Sequence, residues 1–114
     1  MTTKNEIEFS EFLEIEKKLD IRIGKVIAAE RVPKSDKLLK LTVIFGINEG
    51  DEKTVVTNLG ANFHPDEFIG LQIPFIMNLK PSKMMGITSE AMIVVGNANG
   101  SIQLDNYSVG AKLI

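Results

Sequence analysis

Apolar positions follow two different periods along the chain, and the change falls at Asp20. From Ile7 to Leu19 the residues read as a helix. Phe9, Phe12, Leu13 and Glu16 fall at spacings that make one stripe, and Ile7, Leu13 and Ile15 are interleaved with glutamates. Ser10 is a fair candidate for its N-cap. After Asp20, IRIGKVIAAERV alternates Ile21, Ile23 and Val26 with Arg22 and Lys25, which predicts a strand. Gly24 inside that run predicts a bulge or a tight bend. PKSDK (Pro33 to Lys37) supplies turn chemistry, and LLKLTVIF (Leu38 to Phe45) predicts a second strand. INEGDE predicts the next turn and KTVVTNL (Lys53 to Leu59) a third strand. In GANFHPDEFIG, Pro65 followed by Asp66 and Glu67 suits the start of one short helical turn. LQIPFIMNL (Leu71 to Leu79) predicts a fourth strand, in which Pro74 cannot donate to a ladder and implies an edge or a bulge. Ala91 to Val95 predicts a fifth, GNANG a turn, and SIQL a last pairing segment.

Five short strands with a helical turn between the third and fourth predict an all-β fold. A five-stranded barrel of the OB-fold type, preceded by an N-terminal helix, is the leading architecture. Strand spacing alone also suits a small sandwich. The chain divides into an acidic helical segment over residues 1–18 and a barrel domain over residues 19–114.

Composition narrows the chemistry. The 114 residues include no cysteine and one histidine, His64, so thiol catalysis is excluded and a metal centre is not expected. His64, ahead of a proline in a loop, reads as a solvated side chain. No cofactor is expected, and no nucleophile with a base, paired carboxylates or phosphate-cradling glycine loop falls at usable spacing, which argues against an enzyme. Neither a signal peptide nor a run of the ~20 apolar residues a membrane span needs is found, so a cytoplasmic, soluble protein with no membrane role is expected. The net charge of −2 hides an asymmetry. Residues 1–20 carry six acids against three lysines, whereas residues 22–40 carry six basic residues against Glu30 and Asp36. Screening over ~8 Å makes that local field, with Lys34, Lys37 and Lys40 around one turn, more informative than the total.

The stretch NLKPSKMMGITSEAM (Asn78 to Met92) is too polar for a core strand yet sets Met84 and Met85 before a glycine. Lysines on a turn suit phosphates. Ser89 offers a hydroxyl to a phosphate or a ribose 2′-OH, and a flexible methionine packs on a base without demanding one identity. Gly86 permits a close approach or a positive-φ turn. Met84 and Met92 suit a core equally well, Ser89 suits a local turn, and Arg22 and Gly24 suit a structural role in the first strand.

Three blocks in order resemble the tRNA-binding domain family. They are Asp20-Ile21-Arg22-Ile23-Gly24-Lys25-Val26 with Lys34-Ser35-Asp36-Lys37-Leu38, then HPDEFIG, then Asn78, Leu79, Pro81, Lys83, Met84, Met85, Gly86, Ser89 and Met92. That family includes free-standing bacterial tRNA-binding proteins and the C-terminal domain of many methionyl-tRNA synthetases. The resemblance implies an OB-fold that binds the tRNA body by shape, with Lys37, Asn78, Lys80, Lys83, Met85, Gly86, Ser89 and Met92 forming or supporting the face. It further implies a homodimer and, as partner, an aminoacyl-tRNA synthetase. The ending VGAKLI resembles that of short members, which with Met1 leads us to expect a complete small protein.

Three departures stand out. The segment Thr57 to Phe63 lacks the basic pair many relatives carry and keeps only Phe63 as an aromatic. Positions 82 and 85 are Ser and Met where some relatives have a basic residue. The N-terminal segment is longer and more acidic, so it is expected to pack away from RNA, at a dimer interface or against a protein partner. A different class of function, a peptide-binding chaperone associated with secretion, is known on one branch of the same fold. There the methionines would line a peptide groove.

Overall fold

The computed structural model describes residues 3–46, 51–98, 101–104, 109 and 112–113. It opens with the helix α1 (Phe9–Lys18), which starts from Glu8 with no side-chain cap, so Ser10 lies inside the first turn. There follow β1 (Ile21–Arg31), β2 (Leu39–Ile44), β3 (Glu52–Thr57), two short 3₁₀ turns (Leu59–Ala61 and Pro65–Glu67) and β4 (Gln72–Ile76). The second turn fits its sequence: the Glu67 carboxylate accepts the His64 backbone N–H at 2.7 Å. The chain continues with β5 (Ser82–Met84), β6 (Ile87–Ser89), β7 (Met92–Ile93), β8 (Gly96–Ala98), β9 (Ser101–Gln103) and β10 (Lys112–Leu113).

The main sheet is antiparallel with strand order β3-β2-β1-β4-β7, curled into a half-barrel around the core. The expected all-β, OB-like barrel with an N-terminal helix and a helical turn between the third and fourth strands is what forms. Its centre holds Val26, Leu39, Leu41, Val43, Val55, Phe68, Ile73, Phe75 and Val95. In β2 the burial alternates, with Leu39, Leu41 and Val43 inward, which is the period-2 pattern its sequence carries. Full burial of side chains of this size contributes about 1.5–3 kcal/mol each. Of the expected turn INEGDE, residues 47–50 lie outside the described residues and Glu52 already opens β3. Of GNANG, residues 96–98 form β8, and 99–100 lie outside as well.

Two backbone specials resolve differently from expectation. The bulge in β1 falls at Ile27, between the Val26 and Ala28 pairs, and not at Gly24. Gly24 is required by close packing, since a Cβ there would stand 2.5 Å from a Val43 methyl and 2.6 Å from the Phe45 ring. Pro74 sits on β4, which is flanked by β1 and β7 and is not an edge strand. Its carbonyl accepts from Val94 N–H at 3.0 Å on the β7 side. In a strand the N–H and C=O of one residue point the same way, so the donor that proline lacks falls just where the two-residue β7 ladder stops.

β3 and β7, the outer strands of the sheet, meet without a regular ladder. Instead Ser89 and Glu90 bridge the seam. Val56 N–H donates to Ser89 Oγ at 2.9 Å, Ser89 Oγ–H donates to the Ala91 carbonyl at 3.0 Å, and Glu90 N–H donates to the Thr54 carbonyl at 2.8 Å. Ser89 is buried, and removing its oxygen strands a buried N–H, which costs about 1–3 kcal/mol. Ser89→Ala is therefore expected to lower stability by that amount in urea unfolding, and an unchanged midpoint would show that water replaces the hydroxyl.

Candidate nucleic-acid interface

β5 and β6 form a hairpin pairing Ser82 with Ser89, Lys83 with Thr88 and Met84 with Ile87. Alternation puts Ser82, Met84, Ile87 and Ser89 on one face and Lys83 and Thr88 on the other. The exposed loop between Met84 and Ile87 is Met85 (φ 48°) and Gly86 (φ 82°). Positive φ at both positions is the geometry of a type I′ turn, which matches strand twist and prefers Asn-Gly. Gly86 has open space where a Cβ would go, so conformation and not close approach explains it. Met85 is 56% exposed and holds a left-handed backbone that costs an L-residue about 1–2 kcal/mol.

The inward face of the hairpin, β7 and β3 enclose an apolar groove in two compartments. The first, about 150 Å³, is bordered by Leu79, Lys80, Ser82, Met84, Glu90 and Met92. The second, about 340 Å³, runs along Thr57, Asn58, Leu59, Ile93 and Val95. Val56, Met84 and Met92 belong to both. Met84 and Met92 are thus groove walls and neither is fully buried; Met92 is 46% exposed.

The other candidates separate by role. Asn78 is a tether: its amide N–H donates to the Lys18 carbonyl and its oxygen accepts Asp20 N–H at 2.9 Å, which ties the end of α1 to the end of β4. That tether brings Lys18 within two residues of Lys80, a neighbour that spacing along the chain does not reveal. Lys34 takes φ 66° in the turn between β1 and β2, where Ser35 Oγ accepts the backbone N–H groups of Lys37 and Leu38 at 3.3 and 3.1 Å. The Lys37 carbonyl accepts Gly60 N–H at 2.8 Å, an approach so close that a Cβ on Gly60 would lie 2.7 Å from that oxygen. Arg31 clamps the same junction by donating to the Gly60 carbonyl at 2.8 Å and the Phe63 carbonyl at 3.4 Å. Lys37 is thereby held beside the Leu59 end of the groove. Lys40 lies on β2, 3.7 Å from the Glu30 carboxylate, so part of its field is spent on that exposed pair.

Phe63, half-buried, packs edge-on against Phe68 with centroids 6.0 Å apart and is not presented for stacking. Arg22 is engaged by Asp20 at 2.9 and 3.1 Å; that hydrogen bond, with the attraction of the two charges, holds its pKa above the ordinary guanidinium value. Among the described residues no group of three His, Asp or Glu side chains could hold a metal ion, and no helix is long and apolar enough to cross a membrane. The groove residues that sequence patterning missed include Val56, Asn58, Leu59, Glu90 and Val95; they carry no motif and are assembled only by the curl of the sheet.

Comparison with known proteins bears on this arrangement. Residues 21–111 match the family model described as "Putative tRNA binding domain". The chain belongs to that family. Its members similar to this chain include the methionine–tRNA ligase of Cytophaga hutchinsonii, 42% identical over 101 residues, which is 88% of this chain and 14% of the ligase. The corresponding ligase of Archaeoglobus fulgidus is 38% identical over 104 residues, 91% of this chain and 15% of the ligase. The chain therefore spans about one-seventh of the length of these ligases. Among solved structures, the MetRS related protein from Pyrococcus horikoshii superposes with a TM-score of 0.74 at 30% identity, covering 90% of this chain and 88% of that one. The chaperone CsaA from Bacillus anthracis gives 0.66 at 28% identity, covering 91% and 92%.

The tip of the family's hairpin block gives a direct test. Met85→Asn places a residue that tolerates the left-handed region where the turn requires it. The variant is expected to gain about 0.5–1 kcal/mol in thermal unfolding, and a loss of stability would mean that Met85 makes a contact that offsets its backbone strain.

Proposed function

We propose that this domain binds the folded body of tRNA without catalysing a reaction, through the groove and the lysines around it. The observation that carries this reading is the family match over residues 21–111. The geometry supports it in kind: an apolar floor of Met84, Met92 and Val56 lies between Lys80 at one end and the Lys34–Lys37 turn beside the other. On this reading Lys34, Lys37, Lys80 and Lys83 meet phosphates, with Lys40 a weaker contributor. Met85 and Met92 supply apolar contact, while Asn78, Gly86 and Ser89 hold the frame. Lys83 faces away from the groove, so it meets a phosphate where the RNA passes round the back of the hairpin. The setting we infer is the cytoplasm, as an accessory to methionyl-tRNA synthetase or a part of one, in keeping with the ligases that resemble the chain.

The finer reading is a homodimer. No residue of α1 is buried, and Phe9, Phe12 and Ile15 form an exposed apolar face among glutamates. Ile21, Ile23 and Ile27 are exposed along β1, beside Lys25. One chain thus carries an acidic apolar face and a basic apolar face, which suits reciprocal packing about a two-fold axis. A second reading, peptide binding, is favoured by the apolar lining of the groove and the likeness to a chaperone.

A gel-shift titration with bulk tRNA, duplex DNA as competitor, separates the readings. For four to six phosphate contacts, log K is expected to fall with log salt at a slope of about −3 to −5, and DNA is expected to compete poorly. Lys80→Ala should flatten that slope by about 0.7–0.9 with no change in folding. Binding indifferent to salt, or equal competition by DNA, contradicts the tRNA reading and favours the peptide one. For the dimer, light scattering is expected to give twice the chain mass, and Phe12→Asp to give the monomer. A wild-type monomer at micromolar concentration rules the dimer out.

A further inference from the structure

Resting on the tRNA reading, we propose that the two compartments of the groove each receive one unstacked base from a single-stranded stretch of the RNA, and that the smaller compartment prefers a base bearing an amino group. Three observations lead here. The first is size. At ~30 Å³ per water, the 150 Å³ compartment holds the equivalent of about five waters and the 340 Å³ compartment about eleven. That is the scale of a single heterocycle and of a larger base with part of its sugar, and a duplex is far too wide to enter either.

The second is lining. Val56, Leu79, Met84 and Met92 offer nothing to a phosphate, whereas the faces of an unstacked base are apolar and gain by leaving water. Met84 and Met92, shared by both compartments, stand where two successive bases would be separated. Lys80 borders one compartment, and Gly60, hydrogen-bonded to the Lys37 carbonyl, adjoins Leu59 at the far end of the other. A cation at one end of an apolar trough, with the Lys34–Lys37 turn hydrogen-bonded next to the other, suits a backbone that carries a charge at each nucleotide.

The third is Glu90. A carboxylate inside a tRNA-binding groove repels phosphate, so backbone does not lie against it. One of its oxygens accepts Thr54 N–H at a long 3.4 Å, and the other has no partner among the described residues. An ionised carboxylate only accepts hydrogen bonds. A donor that suits it is the exocyclic amine of cytosine or adenine, which presents two N–H groups where uracil presents a single ring N–H.

The test is dimethyl sulfate probing of bulk tRNA bound to the full chain, which reads the ring nitrogens of unpaired adenine and cytosine. Protection of one or two unpaired adenines or cytosines by about fivefold or more is expected, the lower end of what one buried base contributes. Met92→Ala should reduce that protection. Glu90→Gln, whose amide keeps an acceptor for Thr54 N–H, should lower the preference for oligo(C) or oligo(A) over oligo(U) as competitors. A gel shift without any protected base, or a Glu90→Gln variant with unchanged base preference, overturns this proposal and leaves the tRNA reading intact. No gel shift at any salt overturns both. Protection of Met84 and Met92 from peroxide by unfolded polypeptide, with tRNA leaving them open, gives the groove to a peptide instead.

Discussion

A curled sheet whose outer strands do not pair leaves backbone donors and acceptors facing each other across a seam, and everything else in this domain depends on how that seam is held. β3 presents the Val56 N–H and Thr54 carbonyl to it, and the end of β6 with the residue after it answers with Ser89 Oγ and Glu90 N–H. A side chain thus stands in for a strand at the one position where a ladder would have closed the gap. The consequence is geometric. A full ladder draws neighbouring strands to within about 4.8 Å, whereas two point bridges leave room for side chains between them. The groove is that room. Its walls, Met84 and Met92, flank the very segment that carries Ser89, so the fold's closure and its candidate binding surface are made from the same few residues.

The same economy is seen at Asn78. Its side-chain amide fixes where α1 ends and where β1 begins, and two residues later the chain supplies Lys80 to the groove. Arg31 and Gly60 do the equivalent at the other end by clamping the Lys34–Lys37 turn against the segment that continues β3. Lysines are flexible, but the backbones from which these two project are not free to drift.

Much of this was legible in the sequence, and the parts that were not share a cause. The period-2 pattern located β1 to β3 to within a residue or two and overran the end of β4 by three; β2 alternates as its sequence does, while in β1 the apolar Ile21 and Ile23 face outward and β3 buries Val55, Val56 and Thr57 in succession. Pro65 with Asp66 and Glu67 marked its 3₁₀ turn for local electrostatic reasons. The β5–β6 hairpin was missed because its sequence, Ser-Lys-Met and Ile-Thr-Ser, buries little, and because a type I′ turn made by Met-Gly lacks the Asn-Gly signature. Pro74 in a strand signals an edge or a bulge, but whether its absent N–H matters depends on where a neighbouring strand stops. Asn78 and Ser89, conspicuous as candidate contacts, prove to have both ends of their side chains engaged by the fold, and no spacing rule distinguishes a polar residue that greets a ligand from one that braces a seam.

Net acidity argues against a nucleic-acid partner, but the charges of α1 are not spread evenly along it. The helix that holds most of the early glutamates is leashed at its C-terminal end, where Lys17 and Lys18 occupy the last turn. At ~1.5 Å per residue Glu11, in the first turn, stands roughly 10 Å further out than Lys18, beyond the ~8 Å over which an exposed charge is felt at physiological salt, whereas Glu14 and Glu16 stand within it. The tethered end of α1 thus carries Lys17 and Lys18 against Glu14 and Glu16 in the turn before. Helix polarity works in the same direction on stability, since cations favour a C-terminus. Reversing the helix sequence would keep the net charge at −2 yet remove both lysines from its last turn, so the order of charges along ten residues governs the local field more than their sum.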